Sequence, residues 1–295
     1  MGGLVAYLVT PLAGDGGALR LEQFVPYVDA LLERCSPAGF ACLANDFAYF
    51  NEEERRRIAA AALKAVGGRA PVDVCTSAIS TVQAIELGKH AEGEGAARVI
   101  VNPQTYLALG DDQIVRHYEK IARALRIPVH IYNNPVSTRT DMPVALLRRI
   151  VDATGARSIK EAGSRVEKFQ DLRAEFGDTV TLHVGFHYMS FGGFALGATA
   201  WDAGLAPAIA AACESLFRAA VIERDAAAAE KRFATLLPLF QFFREKGALP
   251  SLKALAAIDG LDLGGTRSPV EMPGAHDLTE LRRRLALANQ AWEVS

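Results

Sequence analysis

Lys160 closes a short apolar run, Ala156-Arg157-Ser158-Ile159-Lys160-Glu161, that reads as a β-strand. An ammonium group at such a place is costly to bury unless its chemistry is used. Desolvation disfavours the charged form, so a lysine held there offers a free amine near neutral pH, and a free amine attacks a ketone to give an imine. A second run, Val129-His130-Ile131-Tyr132-Asn133-Asn134-Pro135, carries a tyrosine at its end whose phenol can move protons beside that amine. A lysine and a tyrosine at the ends of successive strands point to an enzyme acting on a 2-oxo acid.

Such a pair works only if the chain brings the two strand ends to one face. Short apolar, β-branched runs over 4–9, 39–44, 72–76, 98–102, 129–132, 158–161, 179–185 and 197–201 read as strands. Between them, amphipathic segments over 21–34, 52–66, 81–94, 111–125, 143–153 and 165–176 are long enough for crossover helices. Strand and helix repeating at roughly thirty residues imply a parallel sheet with right-handed crossovers, and eight such units close into a (β/α)8 TIM barrel. Residues 1–224 are assigned to this catalytic barrel. After the last strand the segments over 207–223, 225–246, 251–258 and 277–292 all read as helices, and residues 225–295 are assigned to a C-terminal helical extension.

On a barrel, chemistry is built at the C-terminal ends of the strands. Tyr132 ends the fifth strand and Lys160 the sixth, so both fall there. Asn45 and Asp46 follow the second strand, and Tyr106 follows the fourth. Gly185 ends the seventh, where a missing side chain leaves room for a ligand beside Lys160.

Other polar residues have plainer explanations. Asn51 with Glu54 has the spacing of a capping box, and Asp111, Asp112 and Asp141 sit where helices are expected to start. The Arg55-Arg56-Arg57 run beside Glu52-Glu53-Glu54 reads as a solvated helix face, and a net charge of −2 offers no basic patch, so no nucleic-acid partner is expected. Cys35, Cys42, Cys75 and Cys213 lack any Cys-x-x-Cys spacing and read as small buried residues of a reducing compartment. The N-terminal apolar stretch lacks preceding basic residues and is too short to span a bilayer, so the expectation is a cytoplasmic protein without membrane contact.

His183 and His187 are four residues apart, but one lies within a strand and the other beyond it. The helical geometry that would converge two imidazoles is absent, and no metal is expected. Alternation puts His183 on the face of Gly185. His187 stands as a substrate contact, while Tyr7, Tyr49 and Tyr188 read as packing.

These residues together resemble the dihydrodipicolinate synthase and N-acetylneuraminate lyase superfamily. Thr10-Pro11-Leu12 with Asp15-Gly16 resembles its first-loop pattern, and Tyr132-Asn133-Asn134-Pro135 its Tyr-Asn-x-Pro motif. Ser158-Ile159-Lys160-Glu161 is similar to the segment bearing its catalytic lysine, and Pro103-Gln104-Thr105-Tyr106 to its Pro-x-Tyr-Tyr turn. The resemblance spans essentially the whole chain. It implies a class I, Schiff-base-forming lyase or aldolase acting on pyruvate or a related 2-oxo acid. Lys160 would form the imine, Tyr132 would shuttle protons, and no cofactor would be needed beyond that imine. Tyr106 would reach into the site of a partner subunit, which implies a homodimer or homotetramer.

The departures concern the substrate side. Cys42-Leu43-Ala44-Asn45-Asp46 stands where the family carries Gly-Thr-Thr-Gly-Glu, so two hydroxyls expected to bind the substrate carboxylate are gone. Leu43, Ala44, Asn45 and Asp46 become the residues expected to face the ligand. Gly185-Phe186-His187 replaces a common Gly-x-Asp, and Arg139 lies close to, but out of step with, the carboxylate-binding arginine of dihydrodipicolinate synthase. Two other readings stay open. One is a dehydratase of a deoxy-keto sugar acid using the same imine, and the other is a non-catalytic relative that binds a 2-oxo acid.

Overall fold

The structure is a computed structural model and describes residues 2–293. Strands β1 (Gly3–Tyr7), β2 (Gly39–Cys42), β3 (Val72–Cys75), β4 (Arg98–Val101), β5 (Val129–Asn133), β6 (Ser158–Glu161), β7 (Thr181–Val184) and β8 (Ala200–Gly204) pair in sequence order. All pairings are parallel, and β8 returns to β1, with Tyr7 opposite Gly204, so the sheet closes into a barrel. Strands covered on both faces need apolar residues at successive positions, and Val99, Ile100 and Val101 of β4 are all fully buried.

The outer layer is built from α1 (Phe24–Leu32), α2 (Glu52–Val66), α3 (Thr81–Gly93), α4 (Asp111–Ala124), the single turn α5 (Pro135–Thr138), α6 (Val144–Thr154), α7 (Lys168–Phe176), α8 (Ser190–Ala195) and α9 (Pro207–Phe217). Beyond them lie α10 (Ala226–Lys246), α11 (Ala248–Ile258) and α12 (Ala275–Glu293). The start of α2 is fixed by the expected capping box. Asn51 accepts from the Glu54 amide at 2.9 Å, while the Glu54 carboxylate accepts from the Asn51 amide at 3.0 Å. Removing such a cap costs about 1 kcal/mol. Along α4, Ile114, His117, Tyr118 and Ile121 recur at helical spacing and face inward.

The C-terminal helices are tied to the barrel near the segment after β1. Lys253 of α11 is buried and donates to the carbonyls of Thr10 (2.7 Å), Gly265 (2.6 Å) and Leu263 (3.1 Å). All four cysteines are buried and unpaired. Among the described residues, no helix is long and apolar enough to cross a membrane.

Three expectations are corrected. The eighth strand begins at Ala200, not at residue 197, because Gly197 turns at φ 105° after α8. The shift brings Asp202 into the strand. Asp141 starts no helix: α6 begins after Pro143, and the Asp141 carboxylate accepts from Lys168 Nζ (2.6 Å) and Asn133 Nδ2 (3.0 Å). Arg55 is not solvated. It shares the inner face of α2 with Ile58, Ala59 and Ala62, donates to the Cys75 carbonyl at 3.1 Å and lies over the Phe47 ring.

Candidate active site

Lys160 sits near the C-terminal end of β6, in register with Tyr132 on β5 and His183 on β7. Its side chain is buried, and Nζ lies 3.8 Å from the ring centroid of Tyr7 and 4.3 Å from that of Tyr132. Burial pulls its pKa down to about 8, against the opposing pull of Asp202. About a tenth of such amines are free at pH 7, against less than a thousandth for an ordinary lysine. Gly185 makes the passage for this side chain. A Cβ there would stand 2.9 Å from Lys160 Cε and 2.6 Å from Ala162 Cβ.

The two asparagines after Tyr132 have different tasks. Asn133 donates to Glu161 at 2.8 Å and accepts from the Met142 amide at 3.0 Å, which locks the ends of β5 and β6 together. Asn134 donates to the Tyr132 hydroxyl at 2.8 Å and caps α5, where Pro135 fits the first turn. Burial raises the Tyr132 pKa, so the phenol keeps its proton at neutral pH.

A cavity of about 220 Å³ opens beside Tyr132. Ala44, Asn45 and Asp46 form one wall, and Asn102, Gln104, Asn134 and Ser137 another. The Asn45 Nδ2 is buried without a hydrogen-bond partner. Asp46 accepts from the Thr10 amide at 2.8 Å through one oxygen, while its other oxygen has no partner. Burial raises its carboxyl pKa despite the Thr10 bond.

The remaining expected residues are distributed differently. Leu43 is buried off the cavity wall and adopts a left-handed φ of 64°, a conformation costing a non-glycine residue about 1 kcal/mol. Arg139 is an exposed residue at the end of α5, absent from the cavity wall. Tyr106, 88% exposed, stands on the loop after β4 and is absent from the cavity wall. His187 is buried, with Nε2 2.8 Å from the Gly204 carbonyl, and burial lowers its pKa to about 4. It borders a second, aromatic cavity of about 210 Å³ with Phe186, Tyr188 and Phe243, not the one at Tyr132.

One group of residues escaped the sequence reading. Inside the barrel, Asp202 of β8 accepts from Tyr7 Oη at 2.8 Å and meets His130 Nε2 at 3.0 Å and His183 Nδ1 at 2.7 Å. His130 Nδ1 is 2.6 Å from Ser158 Oγ, which accepts from Arg98 at 3.1 Å, and Arg98 in turn clasps Asp73. Burial alone would raise the Asp202 pKa, but the two imidazoles hold it well below the usual carboxylate range. Ligand atoms of His130, His183 and Asp202 lie within 4.8 Å of one another, a spacing compatible with an ion. Both carboxylate oxygens are already engaged by hydrogen bonds, while His183 Nε2 is buried without a partner. The available signals were His130 within an apolar strand and Asp202, hidden by the misplaced end of strand eight. Tyr7 gave no signal beyond that of a packing aromatic.

A family model described as the dihydrodipicolinate synthetase family matches residues 1–287. The 4-hydroxy-tetrahydrodipicolinate synthase of Syntrophobacter fumaroxidans is 31% identical over 242 residues, covering 80% of each chain. A Streptomyces avermitilis protein named "Probable 5-dehydro-4-deoxyglucarate dehydratase 2" is 28% identical, covering 92% of this chain and 83% of its own. A solved structure from Pseudomonas aeruginosa, provisionally assigned as a dihydrodipicolinate synthetase, superposes with a TM-score of 0.93 at 27% identity, covering 98% of this chain and 99% of its own. With a family match running over nearly its whole length and a barrel of the same architecture, the chain belongs to the dihydrodipicolinate synthetase family.

Proposed function

We propose that the protein is a Schiff-base-forming lyase or aldolase that acts on pyruvate or a related 2-oxo acid. The observation that carries this reading is the amine of Lys160, desolvated between the rings of Tyr7 and Tyr132 and drawn down to a pKa of about 8. Free Nζ attacks C2 of the 2-oxo acid, the carbonyl oxygen takes a proton, and loss of water leaves a protonated imine. That imine is the electron sink, so no further cofactor is required. Loss of a C3 proton gives an enamine that adds to an aldehyde; the reverse sequence cleaves the bond, and hydrolysis returns the free lysine.

Tyr132 is the proton carrier in this reading. Because Asn134 donates to its oxygen, the phenolic proton is free to point into the cavity. Asn45, with an unused Nδ2, is a donor for the substrate carboxylate in place of the missing hydroxyls. The exposed Tyr106 reaches a partner subunit's site in a homodimer or homotetramer. Buried, unpaired cysteines fit a reducing compartment, and the reading takes the enzyme to be cytoplasmic.

A second reading, dehydration of a deoxy-keto sugar acid through the same imine, is favoured by one feature. The cavity wall carries the neutral amides of Asn45, Asn102, Gln104 and Asn134, which suit a hydroxylated chain. Exchange of the pyruvate methyl protons with heavy water tests catalysis in either reading. Exchange is expected of an imine enzyme, and binding without exchange would identify a non-catalytic 2-oxo acid-binding relative.

A further inference from the structure

With Nε2 of His130 as the donor to Asp202, a neutral His130 leaves Nδ1 as an acceptor, and this sets the direction of the hydrogen bonds inside the barrel. Arg98 donates to Ser158 Oγ, the Ser158 hydroxyl to His130 Nδ1, His130 Nε2–H to Asp202, and His183 Nδ1–H to the other Asp202 oxygen. Tyr7 completes the set by donating its hydroxyl to Asp202 at 2.8 Å. A neutral His130 is in keeping with burial lowering its pKa to about 3.

Arg98 and Asp73 cancel as an ion pair. Three donors are fixed on Asp202, which holds it ionised, and its charge acts on Lys160, opposing the fall of the lysine's pKa on burial. The two are not in contact. Tyr7 stands between them, its hydroxyl on Asp202 and its ring face 3.8 Å from Nζ. A phenol that donates to a carboxylate becomes richer in electrons, which deepens the negative potential of its ring face toward a cation.

We propose that Tyr7 and Asp202 are positioning residues for Lys160, the ring of Tyr7 seating the amine and Asp202 supplying, through Tyr7, the buried counter-charge for the protonated imine. This rests on the imine reading above. Its consequence is that the core of this barrel is polar for a reason: a cation formed in a low-dielectric interior needs a fixed opposite charge nearby. The other groups facing Lys160 cannot supply it near neutral pH. Cys75 from β3, Tyr132 from β5 and Tyr7 itself from β1 are kept protonated by burial, and His187, beyond β7, is neutral.

The test uses Asp202→Asn, Tyr7→Phe and Tyr7→Leu. Pyruvate and 2-oxobutyrate are trapped on each protein with cyanoborohydride across a pH series, the adduct is mapped by mass spectrometry, and thermal melting is followed in parallel. Losing the counter-charge favours the free amine, so Asp202→Asn is expected to lower the pH midpoint of adduct formation by about one unit. It is also expected to slow methyl-proton exchange at saturating pyruvate about tenfold. Tyr7→Phe, which keeps the ring, shifts the midpoint less than Tyr7→Leu. A merely structural role would lower melting temperature and yield at every pH without moving the midpoint, and that result overturns the proposal. If Asp202→Asn does not fold, the two Tyr7 variants decide it by the same criterion. An adduct on Lys160 of the parent with unmoved midpoints in the variants defeats this inference alone, whereas no adduct on the parent defeats the imine reading beneath it.

Discussion

Asn134 donates to the hydroxyl of Tyr132 across 2.8 Å, and the same asparagine caps the helical turn that follows. The bond fixes the phenol by its oxygen and leaves its proton available. Tyr132→Phe is therefore expected to slow exchange of pyruvate methyl protons by about a hundredfold or more while leaving imine formation nearly intact. Asn134→Ala should lie between. Comparing stopped-flow imine formation with proton exchange checks this; equal losses in both steps would remove Tyr132 from proton transfer.

The turn after β2 separates two neighbours that looked equivalent in sequence. Ala44 lies on the cavity wall, whereas Leu43 is buried behind it at a left-handed φ. Ala44→Thr should tighten pyruvate binding by about 1–2 kcal/mol by restoring a hydroxyl donor. Leu43→Thr should destabilise the fold by about 2 kcal/mol with little change in affinity, since it puts a hydroxyl and a void into the core. Calorimetric titration and thermal melting on both variants distinguish them. A gain in affinity from Leu43→Thr and none from Ala44→Thr would reverse the assignment of the wall.

The difference between those two residues shows how much was legible. The β6 boundaries, the position of Tyr132 near the end of β5 and the α2 capping box follow from local patterns, because alternation and capping are near-neighbour effects. Arg55 was misread because its charge run hid the helical spacing that aligns it with Ile58 and Ala62. His130 and Asp202 lie on strands far apart in the chain and meet only when the barrel closes. No local spacing encodes that contact, and the seventh-to-eighth strand connection had to be placed correctly first.

The pH dependence follows from Lys160. Its pKa is depressed to about 8, so the reactive neutral amine rises about tenfold per pH unit below that value and levels off above it. A profile of kcat/KM against pH for the preferred 2-oxo acid should bend near 8. A profile that keeps climbing to pH 10 would mean that the amine is not desolvated.

Tyr106, 88% exposed in a single chain, has no partner of its own to explain it. The active species is expected to be at least a dimer by light scattering, and Tyr106→Phe should lower turnover about tenfold or more while leaving melting temperature unchanged. A fully active monomer would contradict the shared site.

The most direct measurement is reductive trapping of the substrate carbon on the protein. Incubation with pyruvate, 2-oxobutyrate and a deoxy-keto sugar acid in turn, followed by cyanoborohydride and peptide mapping, should place a stable adduct on the peptide carrying Lys160, and Lys160→Arg should abolish it. An adduct confined to other lysines, or none with any 2-oxo acid, would contradict the imine chemistry on which this account stands.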